Sequence, residues 1–203
     1  TIHDFGGFPQ ELFDQQYPAP GAPKAAEEIS QAVRQPGNGV PLGLDKAEWG
    51  LDHGTWSVLK PMFPKAEIPV VQLSMDYSRS PAEHYMLGQQ LRELRERGVL
   101  IVGSGNIVHN LRAIRFDAKP GQAYDWAIEF DKVVGEQIAK GDLAALPSFQ
   151  KLGQVAVQAH PTYDHYLPLL YAAGAVDPAR DQPRFFNEDF QAASISMRSV
   201  IWS

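Results

Sequence analysis

The chain has 203 residues, of which 44% are apolar, 21% charged and 10% aromatic, the composition of a packed globular protein rather than a disordered or fibrous one. Its formal net charge is −6, and 18 scattered Lys and Arg form no basic stripe, so no nucleic acid is expected as a partner. Cysteine is absent, which excludes disulfides, thiolate metal sites and cysteine nucleophiles and leaves His, Asp and Glu to hold any metal.

No run approaches the roughly 18 apolar residues of a membrane span, and the opening Thr1-Ile-His-Asp-Phe-Gly-Gly7 has neither the charged nor the apolar region of a signal peptide. No membrane partner is therefore expected, and a cytoplasmic location is the default; self-association into a homo-oligomer stays open. Residues 1–23 are rich in Gly, Pro and aromatics, which punctuate rather than propagate regular structure, and predict an ordered loop with a short helical turn over 11–15. Pro23 suits the first turn of a helix whose apolar stripe is Ala25, Ala26, Ile29, Ala32 and Val33, stopped by Pro36-Gly37.

The apolar, β-branched run 68–75 predicts a buried strand. A helix over 81–97 follows: Ser80, Pro81 and Glu83 spell a capping box, Leu87, Leu91 and Leu94 recur at helical spacing, and Gly98 ends it. Val99-Leu-Ile-Val102 reads as a second buried strand, so strand, helix and strand together predict a βαβ unit. Further helices are expected over 124–140 and 164–173, and a last strand over 194–202. The fold class expected is α/β in a single domain.

Ligand groups in open α/β sheets gather at the carboxyl ends of strands, which directs attention to Gly103-Ser-Gly-Asn106 and to His109 behind it, with Asn106 and Asn110 as supporting groups. That Gly-Ser-Gly lacks both the dinucleotide fingerprint and a P-loop lysine. His53 lies in Gly50-Leu-Asp-His-Gly-Thr-Trp56, a Gly-flanked turn in which Asp52 is placed to orient the imidazole. His3 opens the aromatic loop and is a candidate to line a site, whereas His84, inside the capped helix, reads as a packing or surface residue. His160 and His165 are five apart and share no helical face; His165, nearer the helix, is the better candidate.

Four stretches, Thr1-Ile-His-Asp-Phe-Gly-Gly-Phe-Pro9, Gly50-Leu-Asp-His-Gly-Thr-Trp56, Ser104-Gly-Asn-Ile-Val-His-Asn110 and His160-Pro-Thr-Tyr-Asp-His-Tyr-Leu-Pro-Leu169, resemble the class III extradiol ring-cleavage dioxygenases, in particular the DOPA 4,5-dioxygenase type. The resemblance spans almost the whole chain in the family's order. It implies a central mixed sheet with helices on both faces and one mononuclear Zn²⁺ or Fe²⁺ centre that opens a small catechol such as DOPA with O₂. Carried over residue by residue, it makes His109 and His165 metal-site histidines, with His109 alternatively the catalytic base, and His53 an active-site acid or base; His3, in the aromatic loop, is the candidate for the substrate side. Two further ligand histidines of the family sit in Gly-His-Gly-Ser-Pro and Ser-His-Trp motifs that these 203 residues do not contain, so an N-terminally incomplete catalytic domain over 1–203 is expected. The rival readings are a zinc-dependent hydrolase on the same histidines, or a non-catalytic metal-binding remnant. The chemistry distinguishes them: extradiol cleavage needs an ion that can pass electrons to oxygen, which zinc does not, together with histidines to carry protons.

Overall fold

Prolines and glycines keep the regular elements of the first 74 residues short. The computed structural model describes residues 1–203 and divides into two compact units, Thr1–Ser74 and Met75–Ser203, where one domain is expected from the sequence. In the first unit, α1 covers Gln10–Phe13, α2 Pro23–Ala32 and α3 His53–Met62. Pro23 sits in the first turn of α2, where its missing N–H would be unpaired in any case, and the helix stops before the Pro36-Gly37 pair. The Gly-flanked segment that reads as a turn is in fact a helix start: Asp52 is the N-cap of α3 and accepts the Thr55 N–H at 3.0 Å. Tyr17 and Trp56 form the buried centre of this unit, with Phe5, Leu12, Leu51 and Leu59 packed around them. Their polar tips are satisfied, Trp56 Nε1 donating to the Ile2 carbonyl at 2.8 Å and Tyr17 Oη to the Phe63 carbonyl at 3.1 Å.

The second unit carries the larger core. Here α4 runs over Pro81–Leu91 and tightens into a 3₁₀ turn at Arg92–Arg97 before Gly98, which adopts φ +76°. The capping box forms as read: Ser80 Oγ accepts the Glu83 N–H, and the Glu83 carboxylate accepts the Ser80 N–H at 2.9 Å. Then come α5 (Asp125–Ala139), a 3₁₀ segment (Leu143–Leu152), α6 (Gln154–Ala159) and α7 (Leu167–Gly174). The core is built from their facing residues, among them Phe130, Val134, Ile138, Leu146, Tyr166 and Leu170, all fully buried. Helices α4 and α7 touch backbone to backbone: a Cβ on Gly88 would lie 2.3 Å from the Tyr171 carbonyl oxygen, and one on Gly174 would lie 2.4 Å from that of Tyr85.

The central mixed sheet with helices on both faces is not formed. Regular pairing is confined to two antiparallel ladders near the C-terminus, β1 (Pro183–Phe186) with β4 (Ser199–Trp202) and β2 (Phe190–Gln191) with β3 (Ile195–Ser196). Of the strand expected over 68–75, only Val70 pairs, in a single parallel bridge to Gly21; 99–102 pairs with nothing. Apolar, β-branched side chains state a preference for a pleated surface, but a strand exists only where a neighbour completes its hydrogen bonds. Without one, Val99, Leu100 and Val102 stay exposed rather than buried.

Candidate active site

His109 is placed by backbone bonds on both sides of it. Its N–H donates to the Ala159 carbonyl at the end of α6 at 3.0 Å, while Ser196 N–H to Val108 O (3.0 Å) and Asn110 N–H to Ser194 O (3.2 Å) dock the segment against β3. The two asparagines staple backbone rather than a ligand: Asn106 Nδ2 donates to Ser196 O at 3.0 Å and Asn110 Nδ2 to Gln158 O at 2.7 Å.

His165 enters from the loop before α7. The Asn106 N–H donates to its carbonyl at 2.8 Å, and Gly105 lies so close that a Cβ there would sit 2.2 Å from the same oxygen. Gly103 is pressed in the same way against Pro168 O, 2.4 Å from where its Cβ would be. The Gly-Ser-Gly segment therefore permits a close backbone approach. The outcome is that His109 and His165, 56 positions apart, stack with ring centroids 3.4 Å apart and planes 28° from parallel.

Burial, and after it the neighbouring His165, push the His109 imidazole down to about 4, against the opposing pull of Asp164. Asp164 Oδ2 lies 3.5 Å from His165 Nε2. Burial works to raise the Asp164 carboxyl, but the Thr162 side chain and the adjacent histidines favour its ionised form and hold it below the usual range. His160 is nearly inaccessible among Phe130, Phe149 and Tyr166; its Nε2–H donates to Ile107 O at 2.6 Å, and burial lowers it to about 4. It is a neutral core histidine that holds the 107–110 segment in place. His84 is likewise fully buried, hydrogen-bonded to Tyr171 Oη at 2.8 Å.

In the first unit, His53 is the first residue of α3 and half exposed. Its orienting group is Asp4, 49 positions away, and not Asp52: the ring Nδ1–H donates to Asp4 Oδ2 at 2.8 Å and the His53 N–H to Asp4 Oδ1 at 2.9 Å. Asp52 is occupied in capping the helix and in accepting from Gln72 Nε2 at 2.8 Å. His3 donates from Nε2 to the Gln15 carbonyl at 2.9 Å and packs edge-on against Phe5 and Trp56. Asp4 and Asp164 are the polar groups that sequence reasoning missed. The first has no local signal, and the second stands beside His165 with nothing to mark its orientation.

As donors for a metal, His109 and His165 fit in kind and fall short in number. No group of three or more His, Asp or Glu is placed to hold one ion, and a protein-held zinc or non-haem iron centre takes at least three protein ligands. The stacking matters as well, because imidazole lone pairs lie in the ring plane and two nearly parallel rings direct them side by side rather than toward one ion.

The family model described as the catalytic LigB subunit of aromatic ring-opening dioxygenase matches residues 1–200. The chain is 42% identical over 204 residues to the 4,5-DOPA dioxygenase extradiol of Escherichia coli K12, covering 98% of this chain and 72% of that protein. It is 37% identical to the protein of the same name from Mirabilis jalapa, covering 86% of this chain and 64% of the relative, less than two thirds of its length. A crystal structure of an uncharacterized protein from Escherichia coli K12 superposes with a TM-score of 0.81 at 37% identity, over 93% of this chain and 76% of the other.

Proposed function

Because the chain belongs to the LigB family, the catalytic subunits of aromatic ring-opening dioxygenases, we propose that it takes part in opening the ring of a small catechol such as DOPA beside its hydroxyls, with O₂ as co-substrate. The observation that carries this reading is the stacked pair of His109 and His165 with Asp164 beside it.

The two histidines take different roles. With their lone pairs side by side, one ligand and one proton carrier suit the geometry better than two ligands to a common ion. His165, with a carboxylate against Nε2, is the metal ligand: such a partner orients an imidazole and raises its donor strength. The pair by itself does not complete a metal centre. The chemistry that a bound divalent ion supplies is acidification of the catechol and, for iron but not for redox-inert zinc, electron passage to oxygen, so iron is the metal assigned to turnover.

His109, unprotonated at neutral pH because burial and His165 hold it down to about 4, is the acceptor for a phenolic proton. A base is most effective when its pKa is near the working pH, and an anionic catechol beside the ring would raise this one toward that range. His53 is the second proton carrier of the proposal: Asp4 fixes Nδ1–H, which leaves Nε2 for exchange. His3, tied to Gln15, contributes packing on the substrate side rather than a proton. A cytoplasmic setting belongs to the same proposal.

A form of the protein that also carries the family's two N-terminal histidine motifs, supplied with Fe²⁺ under anaerobic conditions and then given oxygen and DOPA, is expected to take up O₂ and yield a yellow ring-opened product. His109→Ala and His53→Ala should each lower turnover by on the order of 10²- to 10⁴-fold, with His53→Ala leaving bound metal unchanged. Colourless incubations without oxygen uptake across several catechols would overturn the reading, and ester or amide turnover in their place would favour the hydrolase.

A further inference from the structure

Three tyrosines of the chain are buried, Tyr17, Tyr166 and Tyr171, and the hydrogen-bond partners of their hydroxyls differ in kind. Tyr17 Oη donates to the Phe63 carbonyl and Tyr166 Oη to the Leu146 carbonyl, both at 3.1 Å. Tyr171 Oη instead lies 2.8 Å from Nδ1 of His84, a side chain with no exposed surface. A carbonyl oxygen orients a phenol but is far too weak a base to take its proton, whereas an imidazole nitrogen can take it. Neither His84 nor Tyr171 has a part in the ring-opening reading.

The backbone contact of α4 with α7 builds this pair. His84 lies one turn before Gly88 on α4, and the Tyr171 carbonyl oxygen stands 2.3 Å from where a Gly88 Cβ would be. The two rings meet edge-on, with centroids 5.4 Å apart. Counting partners assigns the tautomer. With Nδ1 accepting the Tyr171 hydroxyl, only Nε2–H is left without a bond; with the proton on Nδ1, both Nε2 and the phenolic hydrogen would be. Nδ1 therefore presents its lone pair to the phenol.

Burial, with Asp76 adding to it, pushes the Tyr171 phenol up to about 12, so release of its proton to water is unfavourable. Burial also lowers the His84 imidazole, as does the Arg79 guanidinium more weakly, while the Arg79 carbonyl and the carboxylates of Asp76 and Glu83 favour its protonated form. Tyr171 is 7% exposed, so an electron has only a thin layer of protein to cross. A phenol that loses an electron becomes so acidic that a base placed at its hydrogen takes the proton in the same step.

We propose that Tyr171 and His84 form a second, redox-active site, in which Tyr171 gives one electron to an oxidant of the peroxyl-radical class as its phenolic proton moves to His84 Nδ1. The O–H bond of Tyr171 breaks and an N–H bond forms on His84, leaving a neutral phenoxyl radical beside an imidazolium. The peroxyl radical, reduced to the peroxide anion, takes a proton from water and leaves as hydroperoxide with release of hydroxide. This site stands independently of the dioxygenase reading.

The test uses the metal-free chain at neutral pH. Tris(bipyridine)ruthenium(III), generated by a flash with a cobalt(III) ammine as sacrificial acceptor, withdraws one electron, and the phenoxyl radical is followed by absorption and by electron paramagnetic resonance. The unaltered chain is expected to give a persistent phenoxyl radical whose rate of formation does not depend on buffer concentration, because the proton acceptor is internal. Alkylperoxyl radicals released by a thermal azo initiator should give the same resonance. Tyr171→Phe, which removes one hydroxyl from a packed ring, should abolish that signal, and Tyr166→Phe should keep it. His84→Asn retains an oxygen to accept the hydroxyl but no base, and should slow formation by on the order of 10²-fold, the lower end for loss of a positioned base. Absence of the persistent radical with either oxidant, a rate that rises with buffer base, survival of the signal in Tyr171→Phe, or an unchanged rate in His84→Asn would overturn the proposal. The buffer dependence is read on the unaltered chain, so it decides even where His84→Asn fails to fold.

Discussion

Gly105→Ala isolates the backbone approach that brings His165 to His109. No left-handed φ is required of Gly105, so an alanine could adopt its backbone conformation; the main obstacle is the His165 carbonyl, whose oxygen lies 2.2 Å and carbon 3.1 Å from the new Cβ, with Pro168 Cγ at 3.3 Å. An ordinary carbon–oxygen contact is longer by about 1 Å, and both atoms are backbone, so the loop before α7 must move as a piece. Overpacking of this kind costs roughly 1–3 kcal/mol, and the 2.8 Å bond from Asn106 N–H to the same carbonyl, if lost, adds about 1 kcal/mol. The expected loss is therefore about 2–4 kcal/mol. Gly141→Ala provides the scale: Gly141 sits at φ +72° with nothing within 4 Å, so it isolates the conformational cost of alanine in the left-handed region, about 1 kcal/mol. Urea denaturation of both variants reads the difference, and the histidine ring resonances of Gly105→Ala should show His109 released from the field of its neighbour. A midpoint for Gly105→Ala equal to that of Gly141→Ala, with unshifted histidine resonances, would refute the packing argument.

Asp131 accepts Ser196 Oγ at 2.5 Å and Arg198 Nε at 2.9 Å with almost no exposure, joining α5 to the C-terminal strands, so Asp131→Ala should destabilise by about 2–3 kcal/mol, with Ser196 Oγ losing its acceptor and Arg198 keeping only the exposed Glu188 as a partner. Replacing both partners by apolar residues, Asp131→Leu with Arg198→Met, should recover most of that loss in urea denaturation; a double variant no better than the single one would show that the pair does more than neutralise itself. Burial lowers His160 to about 4, so the unfolded chain binds a proton there that the folded chain does not, and the resulting stability is complete above the ordinary imidazole value and declines as pH falls from about 6.5 toward 4. The term amounts to roughly 3 kcal/mol at full size, and His160→Phe should flatten that acid limb even though it leaves Ile107 O without its donor; an unchanged slope would place the proton elsewhere.

What was legible in the sequence was whatever a few adjacent residues decide together. Ser80, Pro81 and Glu83 specify the start of α4 because all three partners of the capping box lie within one turn, and the structure forms it bond for bond. Tyr124 to Gly141 likewise carries its own start, apolar stripe and stop, and α5 falls one residue inside each of the expected bounds. The runs 68–75 and 99–102 failed for the opposite reason. Their composition suits a strand, yet pairing depends on a neighbour that composition cannot name, and the ladders that do form use Pro183–Phe186, a stretch whose leading proline argues only weakly for a strand.

The candidate site divides along the same line. His109 and His165 were identified through the segments that carry them and not by spacing, since nothing in the residues between them says that two loops will lie ring to ring. The two glycines beside Ser104 carry the one local signal of that proximity. Gly103 and Gly105 match no phosphate-binding pattern; both are glycine because a carbonyl of the later loop and helix occupies the space of a side chain. Asp52 misled: adjacent to His53 it invites an electrostatic role, but an Asp three residues before an unpaired Thr55 N–H is a helix cap first, and the partner of the imidazole is the remote Asp4. In each case the local reading named a residue and missed its partner. A side chain's neighbours along the chain determine its backbone conformation, whereas its chemistry is determined by groups that the fold brings from elsewhere.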